Sequence, residues 1–321
     1  MFFPDRTHFR RGPVYSITLF FLIAVFVSCS PKSSDMKYIG FFPGEGIKGY
    51  AGSSWYDMSE GLPKDLEAEY ITSDTKGTLY LTTEYSGIFR RAVKDSKWTD
   101  ISSPVLKRRT QLKDVNEYRT ISAFCIDPSD EKKLYLATKH TLYKSDDSGA
   151  NWHKIKVAEN KNSYYFTSLL VADNVLYAGT SFNGIMKIVP GSTTEIDNGI
   201  PKEYYAGRYN FCEEVSSIAA GKGVIYSGYL FGRGMVESRD WKNWNRVNIP
   251  VKNEKTEGVH GINILKDLVY VATSENIYTY NTVNRKIGAS PLYGEIEKSF
   301  GEKGPAMLYI KGTEKNPPFF F

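Results

Sequence analysis

The sequence is poor in the residues that do covalent and metal chemistry. It carries three cysteines and four histidines in 321 residues, and neither set shows metal-ligand spacing. His8, His140, His153 and His260 stand far apart along the chain. No glycine-rich loop follows a strand and opens a helix, so there is no phosphate cradle of the P-loop kind. No stretch holds a sustained helical period, and no apolar run reaches the roughly 18 residues of a spanning helix. Charge of one sign is scarce as well. The formal net charge is +5, yet residues 1–28 hold three of the 41 basic and one of the 36 acidic side chains, which leaves 38 against 35. That near-balance argues against a basic face for nucleic acid. Neither a cofactor nor a metal nor a nucleic-acid partner is expected. Cys125 and Cys212 could pair in an oxidising compartment, which spacing does not decide; they read more simply as small buried hydrophobes.

The first thirty residues look like an address rather than a fold. Arg6, Arg10 and Arg11 form a positive segment, and Val14 to Val27 is an uncharged apolar run of signal-peptide length. It ends in Phe26-Val27-Ser28-Cys29, which resembles the lipobox of bacterial lipoproteins, with Phe26 where that pattern usually has Leu. The resemblance implies cleavage before Cys29 and lipidation of that cysteine, and multiple acyl chains give stable anchoring. The polar stretch Ser30-Pro31-Lys32-Ser33-Ser34-Asp35 then serves as a tether. The expected division is residues 1–28 as signal peptide, 29–45 as lipidated terminus and tether, and 46–321 as one domain. The expected location is the cell envelope, at the outer membrane or cell surface, with Ser30 suited to outward sorting.

A periodic string runs through the mature chain. An apolar strand with Tyr second recurs as Leu79-Tyr80-Leu81-Thr82-Thr83, Leu134-Tyr135-Leu136-Ala137-Thr138 and Leu176-Tyr177-Ala178-Gly179-Thr180. Further copies are Ile225-Tyr226-Ser227-Gly228, Val269-Tyr270-Val271-Ala272-Thr273 and Leu308-Tyr309-Ile310-Lys311-Gly312. The tyrosines step by 55, 42, 49, 44 and 39 residues, the length of a four-stranded propeller blade. An apolar run precedes each copy, a third strand follows it, and a fourth often begins with Trp, as at Trp98, Trp152 and Trp244. The predicted fold is all-β: a β-propeller of six four-stranded blades, or seven if residues 37–43 hold another strand. The last blade is expected to join Ile296 to Gly312, as strands one and two, to Gly46–Tyr50 and Ser54–Met58, as strands three and four. Such closure removes exposed sheet edges. The ending Pro317-Pro318-Phe319-Phe320-Phe321 finds no place in this scheme, since proline cannot donate to a ladder.

Ser145-Asp146-Asp147-Ser148-Gly149-Ala150-Asn151-Trp152 matches the Asp-box, S-x-D-x-G-x-x-W, on the hairpin between a third and a fourth strand. In such a turn Asp accepts backbone N–H bonds, Gly takes a backbone angle that other residues resist, and Trp fills space between blades. Ser238-Arg239-Asp240-Trp241-Lys242-Asn243-Trp244 looks like a shortened copy without its glycine. Across residues 46–313 the chain thus resembles the Asp-box (BNR-repeat) propellers, a group that includes sialidases, xyloglucanases, sortilin-type receptors and photosystem assembly factors. The resemblance implies that Ser145, Asp147, Gly149 and Trp152 are structural and lie on the face opposite an active site. It does not fix an activity, because the fold hosts many.

The same resemblance implies what a sialidase would need: three arginines on a carboxylate, a Tyr–Glu nucleophile and an acid–base Asp. The F/Y-R-I-P signature is missing, and Tyr118-Arg119-Thr120-Ile121 is the nearest string. Glu203, Glu213 and Glu214 are available for a two-carboxylate mechanism, but nothing selects a pair. Loops leaving strands two and four share one face of a propeller, and here they are rich in Tyr, Phe and Arg, the types that dominate binding hot spots. The candidate ligand-binding residues are Tyr85, Arg119, Tyr165, Tyr205, Arg208, Tyr209, Phe231 and Arg233. No catalytic residue is assigned. The expected function is a non-catalytic, envelope-anchored, monomeric binding or scaffolding propeller for a protein, with a glycan as second choice. The alternatives are a degenerate sialidase-like or other glycan-active hydrolase, and an envelope complex assembly factor.

Overall fold

In the computed structural model the described residues are 38–42, 44–51, 54–74, 76–83, 87–102, 121–157, 165–189, 192–195, 205–206, 211–212, 214–230, 234–251, 258–273, 276–290, 307–310 and 319–320. They form antiparallel strands and turns, with no helix among them. The chain enters through β1 (Tyr38–Phe42), β2 (Gly46–Ala51) and β3 (Ser54–Asp57). Blade one is β4 (Ala68–Ser73), β5 (Leu79–Thr83), β6 (Gly87–Arg91) and β7 (Thr99–Asp100). Blade two is β8 (Ile121–Ile126), β9 (Leu134–Thr138), β10 (Leu142–Ser145) and β11 (His153–Ile155). Blade three is β12 (Phe166–Ala172), β13 (Val175–Thr180), β14 (Ile185–Val189) and β15 (Ser192–Glu195). A two-stranded ribbon, β16 (Tyr205–Ala206) with β17 (Phe211–Cys212), is inserted next. Blade four is β18 (Val215–Gly221), β19 (Val224–Tyr229), β20 (Met235–Ser238) and β21 (Trp244–Val247), and blade five is β22 (Val259–Leu265), β23 (Leu268–Thr273), β24 (Ile277–Asn281) and β25 (Ile287–Ala289). The closing blade takes β26 (Met307–Ile310) and β27 (Phe319–Phe320) in the order β27-β26-β1-β2-β3. The result is a six-bladed β-propeller.

The tyrosine-bearing strings owe their near-continuous apolar character to burial on both faces. Strands β5 and β19 are buried at every residue, and β13 and β23 at every residue but the first. Such strands read as uninterrupted runs rather than alternating ones. Each hydrophobic cluster lies between two successive blades rather than within one. Tyr80 and Ile88 of blade one pack with Phe124, Leu136 and Trp152 of blade two. Tyr177 and Ile185 of blade three pack with Val215, Ile218 and Trp244 of blade four. Ile39, Phe41 and Ile47 of the closing blade meet Ile71, Leu81 and Trp98 of blade one. The Tyr80 hydroxyl, desolvated at such an interface, has its pKa pushed up to about 12.

The closing blade differs from the expected one in a specific way. Ser59 Oγ bonds the N–H and C=O of Ile47, as Ser102 Oγ does with those of Ile88 in blade one. That equivalence makes β2 a third strand and β3 a fourth. The second-strand position then belongs to β1, paired on one side with β2 and on the other with β26. Residues 37–43 therefore do hold a strand, but it completes the sixth blade instead of starting a seventh. Leu308-Tyr309-Ile310 repeats the string yet occupies the first-strand position. Phe319–Phe320 adds a short fifth strand on its far side, with Phe320 opposite Tyr309, which gives the C-terminal phenylalanines the place the sequence did not suggest.

Fourth strands are keyed to the preceding blade by their tryptophans. Trp98 Nε1 donates to Met58 O at 2.7 Å and Trp152 Nε1 to Ile101 O at 3.1 Å. The Ser145–Trp152 hairpin is held by Asp147, whose Oδ1 accepts Ser145 Oγ at 2.8 Å and Asn151 N at 2.8 Å while Oδ2 accepts Asn151 Nδ2 at 2.7 Å. Gly149 sits at φ 90°, and a Cβ there would lie 2.6 Å from Ile101 Cδ1. The shortened hairpin repeats the network through Asp240, which accepts Lys242 N, Asn243 N and Asn243 Nδ2. Trp241 takes the left-handed conformation there, at φ 61°. Its ring stacks on Tyr177 of blade three at 3.9 Å and 16°, a contact that offsets the backbone cost.

Candidate functional site

In an up-and-down blade the turns between strands one and two and between three and four lie at one end. The turns between two and three, and the crossings to the next blade, lie at the other. The Asp147 and Asp240 hairpins belong to the first end. The second end, where every first strand begins, carries a feature repeated five times. The first strand of each of blades one to five shifts register after its first residue: between Ala68 and Tyr70, Ile121 and Ala123, Phe166 and Ser168, Val215 and Ser217, and Val259 and Gly261. A bulge leaves one residue outside the ladder and re-aims its side chain. The residues so placed are Glu69, Ser122, Thr167, Ser216 and His260, and all five line one cavity of 290 Å³.

First strands of successive blades lie side by side around this cavity. Two bulge hydroxyls bind blade three to blade four and blade four to blade five: Thr167 Oγ1 donates to Val215 O at 2.7 Å, and Ser216 Oγ donates to Val259 O. Ser168 Oγ adds a second bond to Val215 O at 3.2 Å. His260 is exposed at the mouth, yet desolvation by its surroundings holds its imidazole below the usual range. Two residues further along the same strands, Phe124, Leu169, Ile218 and Ile262 add apolar side chains to the lining.

The turns between second and third strands are clamped by the threonine that ends the second strand. Thr83, Thr138, Thr180 and Thr273 each donate Oγ1 to a carbonyl across the turn, at 3.0, 3.3, 2.9 and 3.1 Å. In blade four Tyr229 stands at this position and is completely buried. Tyr165 immediately precedes β12. Its N–H bonds Ser181 Oγ at 3.0 Å and its carbonyl accepts Ser181 N at 2.9 Å. Its ring is 38% exposed, beside His140 at 4.8 Å and under Lys139 Nζ at 5.3 Å. Phe182, next to Ser181, is 46% exposed.

Of the residues expected to bind ligand, Tyr165 is on this face and solvent-accessible. Tyr205 lies on β16, opposite Cys212 of β17. Arg208 and Tyr209 fall between those two strands in sequence and, with Tyr85, Arg119, Phe231 and Arg233, lie outside the described residues, as does Cys29. Two further aromatics at this end are core: Phe166 and Tyr229, 1% and 0% exposed. Cys125 is a free, half-buried thiol whose pKa burial pushes up. Among the described residues no three His, Cys, Asp or Glu side chains gather as a metal site, and none of the lining residues is Lys or Arg. Sequence reasoning missed the bulge ring, although a hydroxyl residue directly after the first apolar residue of a first strand, at Ser122, Thr167 and Ser216, was a readable sign of it.

No protein-family model and no curated protein matches the chain. Its likenesses are to solved structures. A GH74 xyloglucanase from Xanthomonas campestris is 15% identical, with a TM-score of 0.54 over 80% of this chain and 47% of that one. A GH74 enzyme from Niastella koreensis is 17% identical, with a TM-score of 0.53 over 80% of this chain and 42% of that one. An ancestral GH74 enzyme is 11% identical, with a TM-score of 0.55 over 90% of this chain and 45% of that one. The chain therefore spans less than half of each of these enzymes, and at such identities the likeness establishes the propeller fold alone.

Proposed function

We propose that this chain is a non-catalytic binding propeller of the bacterial cell envelope, related to the Asp-box propellers and anchored through a lipid on Cys29. It holds a protein ligand against the face that carries the channel mouth. The observation that supports this most is the placement of exposed apolar rings. Of the three large apolar side chains exposed among the described residues, Tyr165 and Phe182 stand together on that face. They are fixed by two bonds, Tyr165 N–H to Ser181 Oγ and Ser181 N–H to Tyr165 O, and by the Thr180 clamp. Rings held rigid by a scaffold lose little entropy on binding, and Arg208, Tyr209, Arg119 and Arg233 fall in sequence in connections to the same end.

Photo-crosslinkers installed at Phe182 and, on the opposite end, at Val283 test the proposal in cells. One envelope protein crosslinked from position 182 and not from 283, and lost with Tyr165→Ala, is the expected result. Equal crosslinking from both positions contradicts it. Cys29→Ser abolishes fatty-acid labelling if the anchor is as proposed. The likeness to GH74 enzymes favours a glycan ligand as the second reading. Turnover of fluorogenic sialosides or glucosides, lost on mutating Arg208 or Arg233, would replace the binder with a hydrolase. Recovery of one stoichiometric inner-membrane complex would make it an assembly factor.

A further inference from the structure

Blades one to five each end, on the side of the channel, in a first strand. The closing blade goes one strand further. β27 lies beyond β26, with Phe320 opposite Tyr309 and Phe319 opposite Ile310. It also approaches β4, the strand that gives Glu69 and Tyr70 to the rim of the cavity. Register fixes its place along the channel. Ile310, opposite Tyr38, holds the position that Ser73, opposite Leu79, holds in blade one, which is the hairpin end of a first strand. β27 is antiparallel to β26, so it runs from that end toward the bulge ring.

The edge of a sheet is a row of backbone donors and acceptors ready to take a further strand. The strand found on this edge holds it weakly. β27 pairs with two residues, whereas β26 (Met307–Ile310) has four. In the chain it follows Pro317-Pro318, and proline has no N–H with which to lengthen a ladder. We propose that the inner edge of β26 is a strand-addition site for an extended, proline-free apolar segment of a partner protein, and that Phe319–Phe320 occupies it until such a segment arrives. Strand addition draws its affinity from main-chain bonds, so a segment that pairs along all of β26 gains more than β27 does. A tethered strand competes at an effective concentration of about millimolar, so only a better-pairing segment enters. The site lies inside the channel, on other elements than Tyr165 and Phe182, and stands without the reading of the exposed face.

The test compares the mature chain with two variants that vacate the edge. One ends at Asn316. The other keeps its length and carries Phe319→Pro with Phe320→Pro, which removes both N–H groups, whichever of them faces β26. The probe is a fluorescein-labelled hexapeptide, Asn-Thr-Thr-Phe-Phe-Phe, the chain's own ending with its prolines replaced, followed by fluorescence anisotropy. Both variants bind it about tenfold or more tightly than the intact chain, and binding protects amides of Met307–Ile310 from hydrogen exchange. The same probe N-methylated at its phenylalanines keeps the apolar surface, loses the donors and does not bind. Equal binding by the intact chain and the variants, equal binding of the N-methylated probe, or protection confined to other strands overturns the proposal. So does absence of binding by a variant that still melts cooperatively. If the shortened chain does not fold, the doubly substituted one decides, since its changes lie wholly beyond β26.

Discussion

Gly228→Ala adds one methyl group at a crowded point between blades four and five. Its Cβ would lie 2.5 Å from Val259 Cγ1, 3.0 Å from Val259 Cβ and 3.2 Å from Ile262 Cδ1. Val259 is wholly buried, and its carbonyl accepts the Ser216 hydroxyl, so it cannot yield without disturbing the ring. Overpacking of this kind costs about 1–3 kcal/mol, while the smaller entropy of unfolded Ala returns about 0.4–1 kcal/mol. The net expectation is a loss of about 1–2 kcal/mol. The control is Gly288→Ala on β25, where a Cβ meets nothing within 4 Å and the backbone needs no left-handed angle. That substitution keeps only the entropic gain, and the protein is as stable or slightly more so. Urea denaturation of the three proteins reads both effects. Val259→Ala alone leaves a cavity, yet combined with Gly228→Ala it costs less than the two separately, because the new methyl fills that space. If Gly228→Ala behaves like Gly288→Ala, the blades are not in the contact described and the account of the rim fails with it.

Three further outcomes follow from the same structure. The carboxylates of Asp147 and Asp240 are held below the ordinary range, Asp147 chiefly by the Asn151 side chain and Asp240 chiefly by the Asn243 and Lys242 N–H groups. The unfolded chain therefore takes up these protons first, near pH ~3.9. Their contribution is complete above that pH and is lost as pH falls through the lower folded values, so Asp147→Asn and Asp240→Asn flatten the acid limb of a thermal-melt series. Trp98→Phe removes the bond to Met58 O from a ring that is 2% exposed and costs about 1–3 kcal/mol in urea unfolding. A Trp98→Phe protein as stable as the wild type contradicts the keying of blade one to the closing blade. His260 titrates below ~6.5 by proton NMR, because desolvation disfavours its charged form. Since the unfolded state binds that proton more readily, stability declines as pH falls through that region, and a midpoint above 6.5 would contradict the rim as described.

Five blades were legible because one interaction repeats. A second strand buried between two neighbours must be apolar along its length, and Tyr80, Tyr177 and Tyr226 fill the same kind of inter-blade space. The sixth blade misled for a related reason. Leu308-Tyr309-Ile310 carries the string, but strand position is decided by which edges are free, and β1, adjacent to β2 in the chain, takes its edge and leaves β26 the far side of β1. Tyr38-Ile39-Gly40-Phe41-Phe42 lacks the Tyr-second string, so residues 37–43 were readable as a possible extra strand but not as the second strand of the last blade. The channel rim was harder still. A bulge is a property of pairing and not of residue type, so Glu69 and His260 share no letter with Ser122, Thr167 and Ser216 although all five occupy one position. The ring neighbours of Tyr165 were missed because Lys139 and His140 sit in a short turn whose threonine clamp fixes their direction only in three dimensions.

The two ends of the propeller solve opposite problems with the same short polar side chains. At the hairpin end, Ser145, Asp147 and Asn151 satisfy one another and their own backbone, so the turn is finished and offers little to a partner. At the channel end, the extra residue of each first strand belongs to no ladder pair, so exchanging its side chain does not disturb the strand pairing beneath it. Threonine clamps across the neighbouring turns hold the surrounding backbone instead. Glutamate, serine, threonine and histidine can therefore share one structural position, which a ladder position buried on both faces would not permit. A fold arranged in this way keeps its rigidity at one end and its chemical freedom at the other. That asymmetry is a stronger reason to look for recognition at the channel mouth than the Asp147 hairpin, for all that the hairpin is the most recognisable string in the sequence.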